Sequence, residues 1–481
     1  MTGPAGNRNG WLQRCVLAGV LWGAAIIGHA QNVMPDELTR AWKNSGLPES
    51  SLSLVVQELD GQRMVAINAT TPRNPASVMK LVTTWSALSA LGPHYVWRTE
   101  LLAEPGGRPD AHGTLKGPLY VRAAGDPFFL MQDMWMLLRE LRLRGVKNIG
   151  DVVIDRSIFG NVATDPGAFD GAGDRAYNAS PDAFMVGFGA LRLLFSPDPV
   201  AEKWVPIIDP PVPGVRVEGE VKWSNIRCPG APVVTTEPVL TQQGVSIRLG
   251  GTVAGSCGEF SLYRLALSQP ELAEKLLRVL WRELGGTLRG KVRAGAVPGD
   301  AVVVASHESP PLGEAIRQIN KRSNNVMART LLLTLGAERG PQPATTQTSE
   351  VVAKSVLSSQ GLNMPELTMD NGAGLSRDSR VSAESLASML TVAWQSPLMP
   401  EYLSSLSIAG VDGTMRRRLK GRDTVGRAHL KTGSLRDVRA VAGYVLGASG
   451  KRYVVVSIVN DPNAARVRAF DDALIAWLAG Q

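Results

Sequence analysis

The chain has 481 residues, 44% of them hydrophobic and 20% charged, which is ordinary for a globular protein and too long for one simple core. Its formal net charge of +8 is modest for that length, and no basic run is interleaved with aromatics, which argues against nucleic-acid binding. The five His show no metal-ligand spacing, and neither His-Glu-x-x-His nor Gly-x-Ser-x-Gly nor a phosphate-cradling glycine loop occurs, so no metal and no cofactor is expected.

Residues 1–30 read as a cleaved secretory signal. Arg8 and Arg14 precede the apolar run Cys15 to Gly28, which is short for a membrane span, and Gly28 and Ala30 are small residues ahead of Gln31. A retained anchor is the alternative. Cleavage removes Arg8 and Arg14 and lowers the formal charge from +8 to +6. No later stretch is apolar enough to span a bilayer, so a soluble periplasmic protein is expected, drawn at most weakly to anionic wall or membrane polymers. Export also places Cys228 and Cys257 in an oxidising compartment, where a disulfide is expected and two unpaired thiols are the alternative.

Pro35 to Ser45 predicts a helix, and Leu52 to Leu59 and Arg63 to Asn68 predict a hairpin turning at Asp60-Gly61. After a loop, Ser77 opens an apolar helix that runs to Leu91. Between residues 92 and 306 two stretches resemble each other, LLRELRLRGVKNIGDVVI from Leu137 and LLRVLWRELGGTLRGKVR from Leu276, each reading as a helix, a glycine turn and a strand. They are either two layers of one α/β unit or a coincidence of composition. Residues 196–265, rich in Val, Pro, Gly and Thr, read as a nested all-β unit that holds both cysteines. From Leu312 the pattern returns to helices, and it ends in the strands Val438 to Leu446 and Arg452 to Asn460 and a helix over Ala464 to Leu478. Strands from both ends flanking helical material imply an antiparallel sheet covered by helices, an α+β fold.

Three short motifs occur in order: Ser77-Val78-Met79-Lys80, Ser323-Asn324-Asn325 and Lys431-Thr432-Gly433, the last followed by Ser434. Together they suit acyl transfer. Ser77 can attack a carbonyl carbon, with Lys80 as its base once burial or a neighbouring cation such as Lys431 keeps the amine neutral. Ser323 can relay a proton to the leaving amine, Asn325 can hold the substrate backbone, and Lys431, Thr432 and Ser434 can bind a carboxylate. The backbone N–H groups of Ser77 and Ser434 suit an oxyanion. Taken singly, Ser77 is as easily a helix cap, Ser323 and Asn325 loop formers, and Lys431-Thr432-Gly433 an ordinary strand entry.

From Met34 to the C-terminus these residues resemble the class C low-molecular-mass penicillin-binding proteins, the D-alanyl-D-alanine carboxypeptidases that also act as endopeptidases. Gly125-Asp126-Pro127, Asp370 to Arg377 and Ala409 to Thr414 add to the resemblance. It implies a penicillin-binding/β-lactamase-like domain over 31–91 and 307–481. That domain is split by an α/β domain over 92–195 and 266–306, itself interrupted by the β unit. It further implies peptidoglycan stem peptides and cross-links as substrates, and β-lactams as covalent inhibitors. By motif match Asp155 and Arg377 correspond to residues that hold the diamino-acid side chain. Two departures stand out: Asn324 where many members have Asp, and the apolar wording of Pro181 to Leu191. The rival readings are a β-lactamase-like hydrolase, for which no Glu-x-x-Leu-Asn segment is found, and a catalytically idle wall-binding scaffold.

Overall fold

Strand Arg452–Asn460 is buried without interruption from Tyr453 to Val459. A strand with no polar face has to lie in the middle of a sheet covered on both sides. The computed structural model, which describes residues 34–421 and 423–481, places it there. It lies in a six-stranded antiparallel sheet in the order Ser407–Ile408, Ala428–Ser434, Val438–Leu446, Arg452–Asn460, Leu52–Glu58, Arg63–Ile67. The alternation of side chains along the central strand divides two cores. Val454, Val456 and Ile458 pack under the helices that follow residue 79, while Val455 and Val459 pack under the terminal helices Asp36–Ser45 and Arg468–Gly480. There Trp42 meets Phe470 edge-on at 5.1 Å.

Helix Met79–Leu91 sits within the first core and is buried at every position from Met79 to Leu88. Its sequence lacks a polar stripe, as an internal helix requires. Helices Leu312–Arg322, Asn325–Arg339, Thr346–Ser358 and Ala383–Gln395 enclose it through Ile316, Leu331, Leu357 and Leu386. Each such side chain, fully buried, contributes roughly 1.5–3 kcal/mol.

The chain leaves this unit after Leu91 and returns at Leu312 through two strands that zip together, Arg98–Ala103 against Val302–Glu308. Leu312 N donates to Tyr95 O at 2.8 Å at the base of the zip. Beyond it lies a five-stranded mixed sheet in the order Val292–Ala294, Val152–Asp155, Leu119–Arg122, Arg98–Ala103, Val302–Glu308. The two similar stretches fold alike. Helices Met131–Leu143 and Gln269–Glu283 share one core, and the strands that follow pair in parallel, Asn148 with Thr287 and Val152 with Val292. The single strand expected over Thr287 to Arg293 is two short ones, Thr287–Leu288 and Val292–Ala294, broken around Gly290 as the partner is broken at Gly150.

The β-rich stretch begins at Leu191, five residues earlier than the composition suggests, because strand Leu191–Asp198 starts there and pairs with Phe260–Arg264 and Lys203–Asp209. Leu193, Phe195, Trp204 and Ile247 form its small core. The Cys228 and Cys257 sulfurs lie at disulfide distance, 2.05 Å, beside that core. The expected signal segment lies outside the described residues. Among the described residues no helix is long and apolar enough to cross a membrane.

A cross-link between these sulfurs would close a loop with a sequence separation of 29, for which chain entropy predicts about 3–4 kcal/mol. Reduction is therefore expected to lower the unfolding midpoint of the β-rich unit in calorimetry. The transition of the six-stranded sheet should stay in place.

Candidate active site

Ser77 lies in the 3-10 turn Ala76–Val78, and the α-helix proper begins at Met79, two residues later than the sequence suggests. At the head of that turn Ala76 is left-handed, with a φ of +47°, so no helix can run into it from the N-terminal side. Such a conformation costs a non-glycine residue of order 1–3 kcal/mol and persists only where the surroundings fix it. Here Asn74 Oδ1 accepts from Ala76 N at 2.9 Å. Asn74 is itself held on both sides of its backbone by Asn460, from the central strand: Asn74 N donates to Asn460 Oδ1 and Asn460 Nδ2 donates to Asn74 O, each at 2.9 Å. No motif in the sequence marks Asn74 for this role, and Asn460 reads there only as the end of a strand.

Lys80, one helical turn beyond Ser77, is fully buried. Its Nζ lies 3.0 Å from Ser77 Oγ, 2.7 Å from Asn325 Oδ1 and 2.6 Å from Ala373 O. Burial holds its pKa well below the ordinary lysine range, helped by the Lys431 and Arg329 cations. Lys431 is also fully buried, and burial alone lowers its pKa to about 7. Its Nζ lies 3.0 Å from Ser323 Oγ and 2.7 Å from Thr432 O.

Ser323 ends helix Leu312–Arg322 in the left-handed region at φ +56°, and the next helix starts at Asn325. Asn324 caps that helix, its Oδ1 accepting from Met327 N at 3.1 Å. Asn and Asp serve equally in that position, so the departure at Asn324 leaves the site unaltered. One turn along, Arg329 donates from Nη1 to Ala179 O at 2.9 Å, and Asn325 Nδ2 approaches Tyr177 O at 3.4 Å. The inserted segment therefore reaches the helix that carries Asn325.

Two glycines are required by close approach. A Cβ on Gly433 would stand 2.5 Å from Pro75 O and 3.2 Å from Ser77 N, and one on Gly374 would stand 1.8 Å from Ala76 O. The first belongs to the strand carrying Lys431 and Thr432, the second to the loop that presents Ala373 O. Thr432 Oγ1 donates to Thr414 Oγ1 at 2.9 Å, and Ser434 is exposed at the end of the strand.

The structure thus draws Ser77, Lys80 and Asn325 into one hydrogen-bonded group and Ser323 and Lys431 into a second, close enough for the Lys431 charge to act on Lys80, with Thr432, Gly433 and Ser434 on the strand that carries Lys431. Asp155 makes no hydrogen bond to either group. Its carboxylate oxygens accept from Ser157 N and Val297 N, each at 2.9 Å, which is strand-end capping. Arg377 is exposed, paired with Asp437 at 3.1 Å and stacked 4.9 Å over Phe169 of the inserted segment. Beside Phe169, Asp170 accepts from Tyr177 Oη and Asn178 Nδ2, both at 2.8 Å. Nothing in the sequence singles out Asp170, because loop acids carry no periodic or motif signal. A cavity of about 670 Å³, lined by Tyr177, Phe188 and Leu191, borders the Ser323–Asn325 loop. The apolar wording of Pro181 to Leu191 supplies much of that wall. Among the described residues no group of side chains suits a metal ion.

Gly433→Ala is expected to push the Ser77 turn out of place and slow acylation of the serine by at least about 100-fold, with little change in melting temperature. Arg329→Gln removes a cation that keeps Lys80 neutral, so the Lys80 pKa rises. The acid limb of the pH–acylation profile should then move to higher pH, with rates several-fold below wild type on that limb and near wild type above it. Stopped-flow acylation across pH checks both.

The sequence profile of the D-Ala-D-Ala carboxypeptidase 3 (S13) family matches residues 36–481. The chain is 27% identical over 423 residues to D-alanyl-D-alanine carboxypeptidase DacB of Haemophilus influenzae, covering 86% of each chain. It is 29% identical over 445 residues to a D-alanyl-D-alanine carboxypeptidase of an Actinomadura species, covering 89% of this chain and 80% of the relative. The crystal structure of penicillin binding protein 4 from Haemophilus influenzae matches with a TM-score of 0.75 at 25% identity, over 93% of this chain and all of the other. With a match over nearly its whole described length and a Ser-Lys cluster on the same fold, the chain belongs to the D-Ala-D-Ala carboxypeptidase 3 (S13) family.

Proposed function

We propose that the protein is an exported, periplasmic serine D,D-peptidase. It cleaves peptidoglycan stem peptides ending in D-Ala-D-Ala, and D-Ala cross-links, through an acyl-enzyme on Ser77. The observation that carries this reading is the placement of Lys80 Nζ, buried and 3.0 Å from Ser77 Oγ, with Asn325 and Ala373 fixing it from behind. A neutral amine so placed has its lone pair free for the serine proton.

In acylation Lys80 takes the Ser77 proton as Oγ attacks the penultimate D-Ala carbonyl. The backbone N–H groups of Ser77 and Ser434 stabilise the oxyanion. The proton returns through Ser323, held by Lys431, to the departing amine as the C–N bond breaks. Water then enters, gives its proton to Lys80 and releases the acid, restoring Ser77. Lys431, Thr432 and Ser434 bind the terminal carboxylate, and Asn325 holds the peptide backbone. A β-lactam acylates the same serine, but its amine stays tethered in place of leaving, which hinders the water.

The diamino-acid side chain is recognised where the inserted segment meets the 370–378 loop. Arg377 keeps the role the resemblance gives it. Asp170 has a better claim than Asp155 to be its acidic partner, since it adjoins the Phe169 ring on which Arg377 stacks. We read the catalytic unit as residues 31–91 and 307–481, and the β unit as beginning at Leu191.

Ser77→Ala should form no covalent adduct with a fluorescent penicillin and release no D-Ala from muropeptides. Lys80→Ala should keep the serine but acylate about 10²–10⁴-fold more slowly. Labelling of Ser77→Ala equal to wild type would overturn the assignment.

A further inference from the structure

The segment from Thr414 to Arg427 carries six Arg or Lys and one acid, Asp423. Half of its first turns are spent on anchoring. Met415 and Leu419 are buried as apolar pegs, and Arg418 donates to Asp472 Oδ1 from Nε at 2.9 Å and from Nη2 at 2.7 Å. With those side chains turned inward, Arg416, Arg417 and Lys420 are left exposed on a fixed backbone. None of them makes an ion pair or a side-chain hydrogen bond among the described residues.

The start of this segment is wedged into the rim of the catalytic cleft. Thr414 Oγ1 accepts from Thr432 Oγ1 at 2.9 Å, next to Lys431. At Gly413 a Cβ would stand 2.9 Å from Lys321 O, so the turn also abuts the helix that ends at Ser323. The one acid of this turn, Asp412, is taken by Lys321. Arg322, between Lys321 and Ser323, is exposed and likewise makes no ion pair among the described residues. Four exposed cations without an ion pair among the described residues therefore lie on the two stretches that adjoin the cleft, Arg322 next to Ser323 and the other three within six residues of Thr414; of the acids beside them, Asp412 and Asp472 are paired and Asp423 is exposed.

We propose that Arg322, Arg416, Arg417 and Lys420 form a docking surface for the carboxylate-bearing polymer on which the substrate peptides are carried. This rests on the reading of the protein as a peptidoglycan D,D-peptidase, and concerns binding of the network, separate from the reacting bond. Every stem peptide with a free C-terminus ends in a carboxylate, and a network presents many at once. A rim of unpaired cations near the nucleophile raises the local concentration of such a polymer and favours many weak contacts made together. Guanidinium groups suit the task, since they stay charged at all working pH values and pair bidentately with carboxylates. Attraction of this kind is screened by salt over about 10 Å at 0.1 M ionic strength.

The test uses the full chain and insoluble peptidoglycan sacs in a pelleting assay, at about 20 mM and about 500 mM salt. The variant is R416E/R417E/K420E, which leaves every residue of the Ser77 cluster in place. It is expected to bind sacs about tenfold more weakly than wild type at low salt, with the difference closing at high salt. Sacs whose carboxylates have been amidated should bind wild type as weakly as native sacs bind the variant. Hydrolysis of a short soluble D-Ala-D-Ala peptide and penicillin labelling should be equal in both proteins, which also shows that the variant is folded. Equal binding of variant and wild type at low salt would overturn the inference. So would undiminished binding to amidated sacs, or equally tight binding to anionic phosphatidylglycerol vesicles. Loss of penicillin labelling in the wild type would sink the peptidase reading and leave the sac-binding result to stand separately.

Discussion

Two lysine side chains, Lys80 and Lys431, are buried in one cleft, and all their hydrogen-bond acceptors are neutral hydroxyl, amide or carbonyl oxygens. Removing an ammonium from water without a counter-charge is among the more expensive things a fold can do, and the usual relief is loss of the proton. The proposed chemistry exploits that relief, since a lysine that has lost its proton can act as a base. The cost falls on stability in a defined window. Lys431 holds fewer protons folded than unfolded between about 7 and its ordinary 10.5. Folding stability therefore rises with pH across that window, and the folded state bears the penalty at neutral pH.

A base held in this way works only if the nucleophile is fixed beside it, because a misplacement of about 1 Å can cost 100-fold. The fold meets this with strain and bracing. Ala76 is held left-handed, Asn74 pins it, and Asn460 reaches across from the central strand to pin Asn74. Gly374 and Gly433 let two further backbone segments press against the same turn. The parts come from both ends of the chain, so the site exists only when the six-stranded sheet is complete. That dependence explains why a sheet buried on both faces lies directly beneath the nucleophile.

Much of this was legible in the sequence, for local reasons. The hairpin at Asp60-Gly61, the apolar helix after Ser77 and the unbroken Val454 to Val459 strand each declare themselves within ten residues. The trio of motifs is legible because each one is contiguous. The two similar helix–strand stretches were also visible, and their parallel pairing gives the likeness a structural meaning. What stayed hidden depends on approach between distant segments. Nothing near Ala76 predicts its positive φ, and nothing near Asn460 predicts its clamp on Asn74. Arg329 looks like any helical cation until its helix is seen to pass Lys80. Asp155 is named by motif match to the family alone, and its position at the end of a strand occupies its carboxylate with Ser157 and Val297. Asp170, in a loop without periodicity, gave no signal against it.

The insertion between Leu91 and Leu312 bears on the surroundings of Lys80 as well as on the recognition proposed above. Its outgoing and returning strands are paired along their length, so the inserted unit stands on a rigid stem. From that stem the 176–179 segment reaches back to helix Asn325–Arg339 and accepts the Arg329 guanidinium on the Ala179 carbonyl. That contact keeps a permanent positive charge near Lys80 and places the Tyr177 carbonyl beside the Asn325 amide. Lys80 reads its environment from both sides: the neutral acceptors come from the catalytic unit, and one of the two cations that depress its pKa is steadied by the insertion. A domain inserted between the first and second motifs can thus tune the base without contributing a side chain to the bond that is cut.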